Sequence, residues 1–80
     1  MERIEILNKL TPIFREVFKN ESLLITENTT ISDIENWDSL SNFMLITSIE
    51  KAFSIRFSFN ELNTLSVVGV IIDSIKSKCL

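Results

Sequence analysis

The chain has 80 residues, room for one small domain, with 45% hydrophobic residues and a formal net charge of −3. It has no His and one Cys, which excludes the commonest general base, His- or thiolate-ligated zinc, and an internal disulfide. A single Gly and a single Pro argue against fibrous or disordered classes, the longest apolar run (residues 67–72) is far too short to span a membrane, and the alternating Met1-Glu2-Arg3-Ile4-Glu5-Ile6 start is unlike a secretory leader. A soluble, cytoplasmic, monomeric protein is expected, with one domain over residues 1–80.

Residues 3–19 read as a first helix, because Leu7, Leu10, Phe14, Val17 and Phe18 recur at steps of three and four. Pro12 falls inside this pattern and removes one backbone bond, so the helix either kinks there or restarts with Thr11 as N-cap. The stripe stays in phase through Pro12, which favours one kinked helix.

Residues 20–37 form a long ordered loop rich in turn and cap formers (Asn20, Asn28, Thr29, Thr30, Ser32, Asn36). Leu23, Leu24, Ile25, Ile31, Ile34 and Trp37 are expected to hold it on the core. Thr30 and Asp33 have capping-box spacing, which predicts a single helical turn near 31–35. Charge is uneven here. Residues 20–50 carry six acids (Glu21, Glu27, Asp33, Glu35, Asp38, Glu50) and no Lys or Arg. Such a stretch repels nucleic acid and favours basic partners, unless it is simply a solvated loop.

A second helix is predicted over 39–53 with Asp38 as its N-cap. Leu45, Ile46, Ile49 and Phe53 share its core face. Leu40, Phe43 and Met44 form a second apolar stripe on nearly the opposite side. Either a neighbouring helix covers that stripe or it is a contact surface for partners. Residues 54–58 read as a loop. Ser58 and Glu61 make a capping box for a short third helix at 59–63, and Ser66 is expected to cap a fourth over 67–78, buried through Val68, Ile71, Ile72 and Ile75. Gly69 is costly in a helix and suggests a close helix–helix approach. The fold class is all-α: three main helices and one short one.

Catalytic groups are scarce. Asp33 and Asp38 could pair as carboxylates, but four helices in 80 residues leave little room for a pocket around them. Cys79 lies at a fraying end and reads as an exposed thiol. Ser39 stands apart. It follows Asp38 at a helix start, after an ordered loop, with its hydroxyl predicted to face solvent. Without a base it is no nucleophile on its own account, yet it could accept a phosphorus-containing group in another enzyme's active site. A phosphodiester there would sit at a helix N-terminus.

Trp37-Asp38-Ser39-Leu40, followed by Leu45, Ile46, Ile49, Glu50 and Phe53, then Ile55-Arg56-Phe57, Glu61-Leu62 and the pattern from Val68 to Ile75, resembles the acyl carrier protein family over nearly the whole chain. Leu10-x-Pro12-Ile13-Phe14-x-Glu16-Val17-Phe18 is similar to the first helix of carriers from secondary-metabolite and cell-surface pathways. The resemblance implies a helical bundle with 4'-phosphopantetheine attached to Ser39 by a phosphopantetheinyl transferase. The thiol of that arm would hold an acyl or aminoacyl group as a thioester. The implied partners are that transferase, an acyl- or aminoacyl-loading ligase, and a downstream transferase or synthase. The family's docking helix places Asp38, Leu40, Phe43, Met44 and Thr47 at the partner surface.

The chain also departs from the family. Ser41 and Met44 stand where acids are frequent, so docking is expected to lean more on apolar contact. Ser54 replaces a frequent Gly or Asp. Asp73-Ser74-Ile75 repeats the motif without a preceding loop and reads as helix surface. The expectation from another functional class is a helical interaction module with no prosthetic group, using Leu40, Phe43 and Met44.

Overall fold

Helix α1 (Arg3–Val17) runs without interruption through Pro12 in the computed structural model, which describes residues 1–79. Thr11 starts no second helix; its hydroxyl donates to the Leu7 carbonyl at 2.9 Å. The helix ends two residues short of the expected residue 19. Lys19 takes a left-handed φ of 52°, and the Lys19 and Asn20 amides donate to the carbonyls of Glu16 and Arg15. This is the closing pattern usually made with Gly, here made with Lys.

Three further helices follow: α2 (Ser39–Phe53), α3 (Phe59–Leu62) and α4 (Val68–Lys78). The turn foreseen near 31–35 is a 3-10 turn at Ile31–Asp33, with Thr30 and Asp33 capping each other as their spacing implies. Ile6, Leu10 and Phe14 of α1, Leu45 and Ile49 of α2, and Val68, Ile71, Ile72 and Ile75 of α4 are wholly buried. Each such side chain contributes ~1.5–3 kcal/mol of burial. The interior is therefore the meeting of three amphipathic faces. α3 is too short for a core face of its own, and Phe57 and Leu65 on either side of it anchor it instead.

The N-terminus of α4 differs from expectation. Ser66 does not cap it. The N-cap is Val67, which has no side-chain bond to give. The first-turn amides are taken by the long loop: Val68 N–H donates to the Thr29 carbonyl at 2.9 Å and Gly69 N–H to the Glu27 carbonyl at 2.8 Å. Ile31 N–H returns a bond to the Ser66 carbonyl at 3.1 Å, closing an antiparallel bridge between Thr30 and Val67. Gly69 thus marks a close approach of loop to helix, not of helix to helix. A Cβ there would stand 2.9 Å from the Glu27 carbonyl oxygen.

Arg3 locks the same crossing. Its guanidinium pairs with the carboxylates of Glu27 and Asp73 and donates to the Gly69 carbonyl at 3.3 Å. That pairing holds the Glu27 carboxyl below the usual range and raises the guanidinium further. The loop's apolar residues divide accordingly. Ile25 and Ile34 are buried, Leu23 and Trp37 half-buried, while Leu24 and Ile31 face solvent and do not hold the loop to the core.

Two substitutions test this description. Gly69→Ala adds helix propensity of ~1 kcal/mol but drives a methyl group against a backbone oxygen that is itself held by hydrogen bonding; overpacking of this kind costs ~1–3 kcal/mol. A lower urea midpoint is expected, and a higher one would mean that the loop yields freely. Ser54 sits at φ 55°, closing α2 with the Ile55 amide on the Glu50 carbonyl at 3.1 Å. Ser54→Gly removes left-handed strain of ~1–2 kcal/mol at a smaller entropic cost. It is expected to raise the midpoint.

Candidate functional site

Ser39 is the first residue of α2 and is solvent-exposed. Its placement depends on the residues beside it. Asn36 takes a left-handed φ of 68°, which turns the chain out of the loop. Asp38 then caps α2: its Oδ1 accepts from Ser41 N–H at 2.9 Å, and Asp38 N–H donates to Ser41 Oγ at 2.8 Å. The Ser41 hydroxyl also donates to the Asn36 carbonyl at 2.8 Å. Ser41 therefore completes a capping box in the place where Glu or Gln is usual. These Ser41 bonds, the backbone amide first and the hydroxyl second, hold the Asp38 carboxyl below its ordinary value. Asp38 and Ser41, before and two after Ser39, are committed to the helix start, while the Ser39 hydroxyl hydrogen-bonds to nothing among the described residues.

Trp37 fixes the other side. Its ring packs edge-on to Phe14 at 5.8 Å between centroids and tilted to Phe18 at 5.3 Å. Its indole N–H donates to Asn42 Oδ1 at 3.0 Å. One residue thus ties the end of the loop to α1 and to the first turn of α2. The spacing of the motif gives no hint of this Asn42 partner. An open groove of about 420 Å³ begins at Asp38 and Ser39 and passes Trp37 and Asn42 to Leu62 and Leu65. A larger open concavity, about 920 Å³, lies around Pro12, Arg15, Glu16 and Lys19 and does not reach Ser39.

The second stripe of α2 is uncovered. Leu40 and Phe43 are each 69% exposed and Met44 43%. Thr47, half-buried, continues the same face into a separate concavity with Glu50, Ser54 and Arg56. A neighbouring helix does not cover Phe43. Of the six acids of residues 20–50, one forms an ion pair among the described residues; the others meet neutral donors or none. Glu27 is paired with Arg3, Asp33 and Asp38 are capping groups, and Glu50 Oε2 accepts from Phe57 N–H at 3.0 Å.

Asp33 and Asp38 each serve their own cap rather than each other. No group of three or more metal-ligating side chains occurs among the described residues. Ser74, the repeat of the motif, lies within α4, and its neighbour Asp73 is bound to Arg3. Cys79 is half-buried against the core, and its amide donates to the Ile75 carbonyl at 2.9 Å, so it is neither frayed nor a fully exposed thiol. No helix among the described residues is long and apolar enough to cross a membrane.

Comparison with known proteins places this geometry. No family model matches the chain. Acyl carrier proteins from two strains of Borreliella burgdorferi are 32% identical over 79 residues, 98% of either chain. Among solved structures, the solution structure of a holo acyl carrier protein from Geobacter metallireducens superposes with a TM-score of 0.84 at 44% identity, over 90% of this chain and 83% of that one. A candidate acyl carrier protein from Mycobacterium tuberculosis gives 0.79 at 27% identity, over 89% and 95%.

The carboxylates around the site set an acid limit. Asp38 lies below its ordinary value, and Glu61, bonded to Lys78 and to Ser58, is lowered to about 2 from 4.5. A carboxyl depressed by folding contributes stability above its unfolded value and loses it as pH falls through the folded one. The melting temperature is expected to hold steady above pH 4.5 and to decline between 4.5 and about 2. The effect is modest because these groups are exposed. Glu61→Gln should flatten part of the decline in thermal melts across that range.

Proposed function

Because this chain belongs to the acyl carrier protein family, a family of carriers rather than catalysts, we propose that Ser39 is the residue to which a phosphopantetheinyl transferase attaches 4'-phosphopantetheine. The observation that carries this reading is the exposed Ser39 hydroxyl, without a hydrogen bond among the described residues, at the start of α2 where Asp38 and Ser41 cap each other. The chain has no His to activate that hydroxyl, so the transferase supplies the base.

The residues present fit the group. The hydroxyl opens onto a groove of mixed lining, polar at Asp38, Asn42, Asn63 and Ser66 and apolar at Trp37 and Leu62. This suits an amide-containing arm that carries an acyl tail. When bound, the arm supplies a terminal thiol that holds the cargo as a thioester. The chain's own contribution is positional. Trp37 and the Asp38–Ser41 box hold the attachment oxygen on a rigid helix start, and the α2 N-terminus favours an anion beside it, although the Asp38 carboxylate shares that end.

Asp38, Leu40, Phe43, Met44 and Thr47 form the docking face for the transferase, for an acyl- or aminoacyl-loading ligase, and for a downstream transferase or synthase. The face carries Ser41 and Met44 at positions where acids are frequent in the family, which supports service in a secondary-metabolite or cell-surface pathway over bulk fatty-acid synthesis. A cytoplasmic monomer fits these roles.

Incubation with a broad-specificity phosphopantetheinyl transferase and coenzyme A is expected to add one phosphopantetheinyl mass. Ser74→Ala is expected to gain it as well, and Ser39→Ala to gain none, by intact-protein mass spectrometry. An unmodified wild type, or a modified Ser39→Ala, overturns the assignment. A helical interaction module without a prosthetic group would show the first of these outcomes.

A further inference from the structure

The side chain of Asn42 is used at one end only. Its Oδ1 accepts the Trp37 indole N–H at 3.0 Å. An indole nitrogen can only donate, so the oxygen of the amide must face it and the nitrogen must face away. That nitrogen, Nδ2, carries two N–H donors and meets no acceptor among the described residues. No buried side-chain nitrogen or oxygen among those residues lacks a partner, so Nδ2 is reachable from solvent. Asn42 is half-buried and lines the groove that begins at Ser39. The two residues stand three apart on α2, which places them on one face with Cβ atoms ~5–6 Å from each other.

An anionic phosphodiester on the Ser39 oxygen needs such a donor. The helix start offers it less than usual: Asp38 Oδ1 takes the Ser41 N–H at 2.9 Å, and the carboxylate keeps its charge there, against a second anion. No Lys or Arg lines the groove, and Trp37 has given its indole N–H to Asn42. The side-chain donors left in the lining, Ser39 aside, are Asn42 on the same helix and Asn63 and Ser66 beyond α3. Asn42 is the one of these that also touches the residue anchoring the loop.

Resting on the carrier reading above, the geometry points to Asn42 as a two-ended positioning residue: its Oδ1 holds the Trp37 ring at the entry to α2, and its Nδ2 donates to the phosphodiester carried by Ser39. Each end makes the other effective. The indole bond settles which end of the amide is free, so the donor is in place before the arm is attached. The bond to the arm in turn restrains the residue that secures the end of the loop. Substitution separates the two ends. Asp at this position keeps an acceptor for Trp37 but sets a negative charge against the phosphate, whereas Leu removes acceptor and donor together.

The test reads both ends by nuclear magnetic resonance of isotopically labelled protein, before and after modification with a broad-specificity phosphopantetheinyl transferase and coenzyme A. The side-chain amide signals of Asn42 are identified by their loss in Asn42→Asp, and the indole N–H is resolved because the chain has a single Trp. On modification the Asn42 amide pair is expected to shift more than the other side-chain amides, while the indole N–H keeps its position. The phosphorus resonance of the modified protein is expected to move in Asn42→Asp relative to wild type. In the unmodified proteins the indole N–H is expected to exchange with solvent as slowly in Asn42→Asp as in wild type, and about tenfold faster in Asn42→Leu, as the loss of one hydrogen bond implies. Asn42→Asp retains the Trp37 bond, so wild-type circular dichroism is expected of it, and it decides the phosphorus measurement even where Asn42→Leu unfolds. An Asn42 amide pair that stays in place on modification, or a phosphorus resonance unmoved by Asn42→Asp, overturns the proposal while leaving Ser39 as the attachment site. An indole N–H indifferent to Asn42→Leu in a folded protein overturns it too, because nothing then orients the amide. Absence of any mass gain takes down the carrier reading and this one with it.

Discussion

The carbonyl of Glu27 lies 2.8 Å from the amide of Gly69, and the placement of Ser39 depends on that contact. A helix begins with amides that have no partner inside it. In α4 they are satisfied by main-chain carbonyls from a loop some forty residues earlier in the chain. That choice needs a residue without a side chain at position 69, because a Cβ would meet the same oxygen. Arg3 then clamps the crossing from outside by pairing with Glu27 and Asp73. With one end of the loop fixed to α4 and the other fixed by Trp37 to α1, the chain has one way to enter α2. Ser39 follows from that entry.

This arrangement explains how an exposed residue can still be well placed. Exposure alone would leave Ser39 on a fraying helix end. Here the residue before it and the residue two after it cap the helix reciprocally, and the ring of Trp37 is packed against two phenylalanines. The hydroxyl is open while the backbone beneath it is restrained. A protein that others must modify and then consult in turn needs this combination, since its contribution is a fixed address and no chemistry of its own. The missing His is consistent with that division of labour.

Much of this was legible in the residues, and the pattern of what was legible is physical. The bounds of α2, the 3-10 turn and the start of α3 rest on signals within four residues of each other: Asp38 with its helix, Thr30 with Asp33, Ser58 with Glu61. Local hydrogen bonds leave local spacing. The α4 cap was not legible, because a main-chain carbonyl has no residue type to read, and Ser66 offered a local cap that the fold does not use. Gly69 did signal a close approach, but its partner was hidden for the same reason. Leu24 and Ile25 show the limit for loops, where neighbours of equal hydropathy take opposite sides and no period says which. The acids have roles that counting does not reveal: Asp33 and Asp38 cap helical turns and Glu27 pairs with Arg3.

That last difference governs what the surface is for. A carboxylate that closes a helix start keeps its charge and has acceptor sites left over, whereas one that meets an ammonium has its charge partly offset. Large apolar side chains on a small domain carry a different burden: they lower solubility and invite self-association unless something offsets them. On this chain they stand in the open beside a groove that reaches Ser39. Phe59 is the sharpest instance. It opens a four-residue helix whose start is capped by Ser58 and Glu61, and its ring is 81% exposed.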